Sequence, residues 1–597
     1  MAVTAALLVS CSSKEKESSW AVAGDKILTA WADEVDPSDV WNEYPRPQLY
    51  RPGHMNWMSL NGLWKYAVKD KLSSCPSEFD GEILVPFAIE SALSGVGKRL
   101  TPEDALWYET SFNVPRSWKR KHVRLNFEAV DYYAEVYVNG KEVGTHKGGY
   151  THFSFDITPY LNNKGEQTLS LKVLDATDDN TQPRGKQVSN PSGIWYTSVS
   201  GIWQTVWLES TPVEYIENLK ITPDYDGHKV IIEVTGKPEE YVYIVKDYDQ
   251  VIKTVAGGKT VEIDMGDFHS WSPEEPFLYG LTVKSAEDEV NSYFGMRKFS
   301  VSKDEKGIAR IFLNNRPYFM KGVLDQGYWS DGYYTAPDDE AMVYDIQKVK
   351  EMGFNTIRKH IKIEPLRWYY HCDRLGMLVW QDMVSGGTEY SFLTTGVLPF
   401  LGITLKDDKY ASFSRKEQAS RDLYEKEMQN TVSLLYNTVS LALWVPFNEG
   451  WGQFDSVRIT NELKILDATR LIDHASGWHD QKAGDLNSKH IYFSKIKIRH
   501  DSRVSALTEY GGYSWLISEH SYNDAGYGYR QYESREDLQQ AFRNLHEKEI
   551  MPQIEKGLSA VIYTQLSDVE NGLMTFDRQI VKYDEQFVRE IMDKIRL

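Results

Sequence analysis

The hydrophobic periodicity of this chain changes once, near Ser302, and that change constrains the fold more than any other feature. Before it, apolar residues recur at every second position in short runs, as in His122-Val-Arg-Leu-Asn-Phe-Glu and Ala134-Glu-Val-Tyr-Val-Asn-Gly-Lys-Glu-Val. Period two with an Asn139-Gly140 turn predicts a β-hairpin. After Ser302, apolar strands alternate with amphipathic helices. Candidate strands are Tyr318–Leu324, Thr356–Lys359, Met377–Asp382, Leu441–Phe447, Arg470–His474, His490–Phe493, Val504–Thr508 and Ala560–Gln565. Helical patterns lie between them at Asp338–Met352, Pro365–Leu375, Arg415–Tyr436, Ser456–Leu466 and Ser534–Lys556. Eight strands alternating with helices over about 295 residues is the arithmetic of a (β/α)8 TIM barrel. A doubly wound open sheet is the rival, but no Gly-rich phosphate loop follows the first strand.

The length of 597 residues allows three to five domains at about 100 to 200 residues each. The patterning divides the chain into a leader at 1–19, an all-β sandwich at 20–211, a second β-rich block of immunoglobulin-like size at 212–301 and the barrel at 302–597. In the second block the strand candidates are Lys229–Val234, Tyr241–Val245, Thr260–Ile263, Tyr279–Val283 and Arg297–Val301, and its scattered charges suit a solvated face.

Acidic residues outnumber basic ones by 86 to 67, a formal charge of −19 that repels phosphate backbones and argues against nucleic acid as the partner. Aromatic residues make up 13% of the chain, with 18 Trp and 37 Tyr. Sandwich cores and sugar-stacking faces both use such rings, and composition leaves the two open.

Three cysteines, Cys11, Cys75 and Cys372, make neither a disulfide framework nor a zinc cluster. The apolar run Ala2 to Val9, then Ser10-Cys11 and a polar stretch, resembles a bacterial lipoprotein signal, although no Lys or Arg precedes it. That reading makes Cys11 the lipidated residue of a protein anchored by lipid in the cell envelope, at a membrane. No other stretch reaches the ~20 apolar residues of a spanning helix.

In a barrel of this kind the reactive groups stand just past the C-terminal strand ends. Two carboxylates do. Glu449 ends the fourth strand in Phe447-Asn448-Glu449-Gly450-Trp451-Gly452, and Glu509 ends the seventh in Thr508-Glu509-Tyr510-Gly511-Gly512. Strands four and seven face each other across the mouth. Two carboxylates about 5 to 5.5 Å apart are what retaining glycoside hydrolysis needs. Most glutamates are solvated loop residues; the strand-end positions and flanking Gly and Trp set these two apart.

The domain order, with "FNEGWG" and "TEYGG" in these places, resembles glycoside hydrolase family 2, the family of β-galactosidases, β-glucuronidases and β-mannosidases. "PFAIESALSG" (Pro86 to Gly95), "WYETSFNVP" (Trp107 to Pro115) and "SGIWQTVWLES" (Ser200 to Ser210) are similar to its sugar-binding domain, a jelly-roll β-sandwich. "GFNTIRKH" (Gly353 to His360), "YYHCDRLGMLVWQDM" (Tyr369 to Met383) and "YTQLSDVENGLMTFDR" (Tyr563 to Arg578) are similar to its barrel. The resemblance implies that Glu449 is the general acid/base and Glu509 the nucleophile. It further implies that Asn448 bonds the sugar 2-hydroxyl and that Arg358 keeps the nucleophile ionised. A family tyrosine that bonds the nucleophile corresponds loosely to Tyr492; the alternative equivalent is His490, with Tyr492 a core residue.

Trp451, Trp478 and Trp515 fall on loops after strands and suit either sugar stacking or rim packing. The pairs Asp325-Gln326 and Gln381-Asp382 suit hydroxyl recognition or closure of the barrel mouth. No His/Asp/Glu cluster shows transition-metal spacing, no cofactor is implied, and "RKHIKIEP" does not match the ion-binding segment of the family's larger β-galactosidases. The expected substrate is a glycoside or oligosaccharide cleaved from its end, and family members are often homo-oligomers.

The sugar is less legible. The glucuronidase Asn-x-Lys motif lies downstream of the nucleophile, whereas Asn487-Ser488-Lys489 lies upstream of it, and the motif around the acid/base differs from that of β-mannosidases. Elimination favours a β-galactosidase-like activity, with a uronic-acid or arabinoside enzyme as the alternative and a non-catalytic carbohydrate-binding protein as the other class. Lys359, His360 and Lys362 put positive charge after the second strand, which suits a solvated loop or a uronate in the substrate.

Overall fold

The first domain packs two antiparallel sheets face to face. One carries six strands in the order Gly81–Val85, Gly62–Asp70, Asp104–Phe112, Gln167–Leu174, Tyr133–Val138 and Lys141–Lys147; the other joins Trp57–Ser59, Val206–Thr211, His122–Phe127 and Phe153–Asp156. The Asn139-Gly140 hairpin forms in the expected register, with Val138 opposite Lys141. Inward-facing alternate residues such as Trp64, Tyr108, Leu125, Val136 and Leu171 are buried between the sheets. The computed structural model describes residues 20–24, 27–53, 56–499, 501–522, 528–567 and 571–597. Cys11 and its leader lie outside the described residues.

The second domain is a seven-strand sandwich of immunoglobulin-like form, Ile216–Asp224, Lys229–Gly236 and Thr260–Asp264 against Gln250–Gly257, Tyr241–Asp247, Tyr279–Lys284 and Glu289–Phe294. One strand expected here belongs elsewhere. Phe299–Lys303 pairs with Ala309–Leu313 in a hairpin outside both sheets, and Phe299, Ile311 and Leu313 pack with barrel residues such as Met320, Leu378 and Ile562. An apolar strand carries no sign of which core it enters.

The third domain is the barrel. Its parallel strands are β1 (Met320–Asp325), β2 (Thr356–Lys359), β3 (Leu378–Asp382), β4 (Leu441–Val445), β5 (Leu471–Ile472), β6 (Leu486–Ile491), β7 (Val504–Gly511) and β8 (Leu558–Thr564). They are nearly continuous apolar runs because both faces are buried, by barrel interior on one side and helices on the other. The ladder runs β5-β4-β3-β2-β1-β8-β7-β6, so the seam lies between β5 and β6. There Asp485 N–H donates to Ile472 O at 2.8 Å and the Asp485 carboxylate accepts from Ile472 N–H at 2.9 Å. β6 starts four residues before its expected position, since Asn487 and Lys489 tolerate a strand edge that hydrophobicity alone does not reveal.

Helices α1 (Asp339–Glu351), α2 (Leu366–Leu375), α3 (Gln418–Leu435) and α4 (Ser456–Leu466) follow β1 to β4. Asp338 caps α1 by accepting from Ala341 N–H at 2.7 Å. Between β3 and α3 the chain makes an excursion of 35 residues (383–417), far beyond an ordinary βα loop of 2–6 residues.

Candidate active site

The short turn after β4 aims Glu449 into the barrel mouth. Glu449 holds φ +50°, a left-handed conformation that costs a side chain about 1–3 kcal/mol and persists only where neighbours enforce it. Its N–H donates to Ser476 O at 3.0 Å, tying the turn to the loop after β5. Gly452, at φ +63°, completes the turn; a Cβ there would lie 2.4 Å from Gly386 O. Glu509 lies in β7 opposite His490 of β6. Two residues on, Gly511 packs so closely that a Cβ would meet the Tyr563 ring at 2.3 Å.

These turns bring the two glutamates onto one imidazole. His490 Nδ1 is 2.7 Å from Glu449 Oε1 and 3.5 Å from Glu509 Oε2. One oxygen of each carboxyl group and that nitrogen all lie within 4.8 Å of one another. Ser476 Oγ, 3.1 Å from His490 Nε2, fixes the ring. Tyr492 Oη donates to Glu509 Oε2 at 2.5 Å. His490 and Tyr492 therefore both reach the glutamates, as residues two apart on an extended segment share a face.

Arg358, fully buried at the end of β2, organises the rest. It donates to Glu509 Oε1 at 3.2 Å, to Asn448 Oδ1 at 2.8 Å and, through Nε and Nη2, to both oxygens of Asp382 at 3.0 and 2.9 Å. Asn448 is oriented by that bond, and its buried Nδ2 has no partner among the described residues. A buried donor of this kind suits a ligand hydroxyl.

The two carboxyl groups differ electrostatically. Burial and the negative charge of Glu509 hold Glu449 above the usual carboxylate range, against the His490 hydrogen bond. Burial also raises Glu509, but His490, Arg358, His360 and the Tyr492 hydroxyl outweigh it and hold Glu509 below that range. One carboxyl that keeps its proton facing one that loses it is the division of states that acid and nucleophile chemistry requires.

Several expected placements change. Asp325 is not free for a sugar hydroxyl: it ion-pairs with Lys359, which also donates to Glu364 at 2.6 Å. Asp382 uses both oxygens on Arg358 and one also on His360 Nδ1 at 2.8 Å, so it positions those two groups. Lys359, His360 and Lys362 form no solvated loop; all three are buried, and Lys362 Nζ bonds both Glu364 oxygens at 2.8 Å. Burial brings Lys362 down to about 8 and His360 well below its ordinary value. Trp451 is buried with its ring 5.9 Å from that of His360, and Trp478 lies 6.2 Å from His490. Trp515 sits on the short strand Tyr513–Trp515 with the Arg535 guanidinium 5.9 Å from its ring, and no described contact joins it to either glutamate.

Lys186 and Trp195 reach this site from the first domain. The ring of Trp195 is 5.2 Å from that of Trp451, and Lys186 Nζ is 5.7 Å from the same ring. Lys186 also lowers the pKa of both Glu449 and His360. The available sequence signal was the long stretch between Leu174 and Val206, rich in Pro, Gly and Ser, with only paired dipeptides for strands.

Comparison with known proteins matches three family models in succession: "Glycosyl hydrolases family 2, sugar binding domain" at residues 82–212, "Glycosyl hydrolases family 2" at 214–297 and "Glycosyl hydrolases family 2, TIM barrel domain" at 305–555. A β-galactosidase of Thermoanaerobacter pseudethanolicus is 26% identical over 353 residues, 55% of this chain and 46% of that protein. A β-glucuronidase of Streptococcus agalactiae is 23% identical over 419 residues, 66% of each chain. The chain thus spans about half to two thirds of these curated relatives. Among solved structures, a β-D-glucuronidase of Dictyoglomus thermophilum superposes with a TM-score of 0.70 at 17% identity, covering 92% of this chain and 99% of that one.

Proposed function

The chain belongs to glycoside hydrolase family 2, and from that premise we propose that it is a retaining, exo-acting β-glycosidase using Glu509 as nucleophile and Glu449 as acid/base. The carrying observation is the pair of carboxyl groups held on His490 within 4.8 Å, one raised and one lowered. Glu509 attacks the anomeric carbon while Glu449 protonates the departing oxygen, giving a glycosyl ester. Glu449, now a carboxylate, then takes a proton from the water that displaces Glu509. Arg358 and Tyr492 hold Glu509 ionised and oriented through both steps. Asn448 Nδ2 donates to the sugar 2-hydroxyl, a contact that strengthens as the ring gains positive charge.

A β-galactoside is the leading substrate. Asn487 and Lys489, the letters of a glucuronidase motif, lie on β6 before the site, and Asn487 donates to Asp501 at 2.9 Å. A uronide is the second reading, supported by Lys186, whose positive charge already bears on Glu449. Aryl galactoside, glucuronide, galacturonide, mannoside and arabinoside, assayed with NMR of the first-formed anomer, decide between them. Galactoside turnover with a β-anomeric product is expected; exclusive turnover of a uronide supports the second reading, and an α-anomeric first product sinks retention. The Ala2 to Cys11 segment supports attachment at the bacterial envelope, and labelled fatty acid should appear on wild type but not on Cys11→Ser.

His490 lowers the pKa of both carboxyl groups. Removing it raises both. Glu509 then loses its proton only at higher pH, and Glu449 keeps its own to higher pH. Both limbs of the kcat/KM profile of His490→Ala should move upward. An unmoved acidic limb would show that the His490–Glu509 contact does not act on the nucleophile.

A further inference from the structure

The excursion 383–417 after β3 carries a cluster of exposed apolar side chains. Of sixteen large apolar side chains exposed among the described residues, five fall within residues 392–403: Phe392, Leu393, Phe400, Leu401 and Ile403. Phe392 is 76% exposed, Phe400 64% and Leu401 67%. Single exposed apolar residues need no explanation, whereas a cluster marks a contact surface.

This cluster is held in place. His479 pins it at both ends, its Nε2 2.9 Å from Thr394 O and its Nδ1 accepting from Leu405 N–H at 3.2 Å; Gln481 donates to Leu405 O at 2.8 Å. The surface is also continuous with the catalytic pair. The Phe400 ring is 5.6 Å from Trp478 and 6.3 Å from Phe493, itself 61% exposed; Trp478 is 6.2 Å from His490, which bonds Glu449. Phe493 directly follows Tyr492, which bonds Glu509. Because Glu449 delivers its proton to the departing oxygen, the leaving group must project on the side of Glu449, where His490 leads to Trp478 and Phe400.

Building on the glycosidase reading, we propose that Phe400, Leu401, Trp478 and Phe493 form a preformed apolar platform for the leaving group, selecting glycosides whose aglycone is aromatic or otherwise apolar. The pinned loop binds without having to be ordered first. Alkyl glycosides test this cleanly, since methyl, butyl and octyl leaving groups have nearly the same basicity and differ in apolar area.

The experiment measures kcat/KM for the methyl, butyl and octyl glycosides of whichever sugar the enzyme accepts, on wild type and on Phe400→Ser/Leu401→Ser. Both residues are exposed, so the unfolding midpoint serves as the check on folding. The wild-type octyl-to-methyl ratio should exceed about tenfold, as burial of two or more methylenes implies, and should fall toward one in the variant through KM. A flat wild-type series, with the methyl glycoside still hydrolysed, overturns the platform and leaves the glycosidase reading intact. A flat series together with cosedimentation on phosphatidylglycerol vesicles, lost in the variant, overturns it in favour of a membrane contact. Hydrolysis of no glycoside by either protein sinks the glycosidase reading and this inference with it.

Discussion

Glu509→Ala lowers kcat by about four orders of magnitude while the fold persists, and added azide restores turnover with inversion. The variant has no group to form the glycosyl ester. Azide occupies the space of the lost carboxylate, attacks the anomeric carbon from that side and, with Glu449 still protonating the departing oxygen, yields an α-glycosyl azide. Glu449→Ala behaves differently. A dinitrophenyl leaving group departs without a proton, so the ester forms and then accumulates, because no base activates water. Azide needs no base; it displaces Glu509 and yields the β-azide. Product stereochemistry therefore assigns each glutamate separately, and the same azide anomer from both variants would refute the division of roles. In kcat/KM, which reports formation of the ester, the loss at Glu449 should be about 10²- to 10⁴-fold for substrates with poor leaving groups and small for dinitrophenyl glycosides, whose kcat falls instead because the ester breaks down slowly.

The positions of these two glutamates at the barrel mouth were legible because the signal is local. Each glutamate ends an apolar strand and is followed by glycines that the geometry requires, at Gly452 and Gly511, where a Cβ would meet Gly386 O or the Tyr563 ring. Lys359 and Lys362 misled for the opposite reason. A lysine in an eight-residue window looks solvated whether it is or not; its burial follows from Asp325, 34 residues away, and from Glu364, which folds back on both. The choice between His490 and Tyr492 was undecidable by motif, yet His490 in β6 and Tyr492 just past its end lie two residues apart on extended chain, so both side chains reach the glutamates. Lys186 and Trp195 were hidden because a loop of the sandwich domain enters the barrel mouth, and periodicity carries no information about which domain a loop visits. Among the rings that composition left ambiguous, Trp203 and Trp207 are fully buried in packing, whereas Trp195 and Trp451 lie 5.2 Å apart near the barrel mouth.

Arg358→Ala should be the most damaging substitution for stability. The guanidinium lies fully buried between Asp382 and Glu509, whose side chains are themselves almost inaccessible. Removing one partner of a buried ionic cluster leaves the others charged without compensation, at a cost of about 3–5 kcal/mol. Arg358→Lys keeps the charge but loses the planar fork that spans Asp382, Asn448 and Glu509, so it should recover part of the stability and little of the rate. The pH dependence identifies the cause. In the wild type the depressed pKa of Glu509 contributes stability fully present above the ordinary glutamate value of 4.5 and lost as pH falls through the lowered one. Without Arg358 that pKa rises, so the difference in urea midpoint between wild type and Arg358→Ala should be largest above about pH 5 and shrink toward pH 3. The acidic limb of kcat/KM for the lysine variant, which still folds, serves as the kinetic counterpart: a looser contact with Glu509 moves it upward. A stability difference independent of pH would mean that Arg358 acts through packing alone, and that Glu509 owes its ionisation to His490, His360 and Tyr492.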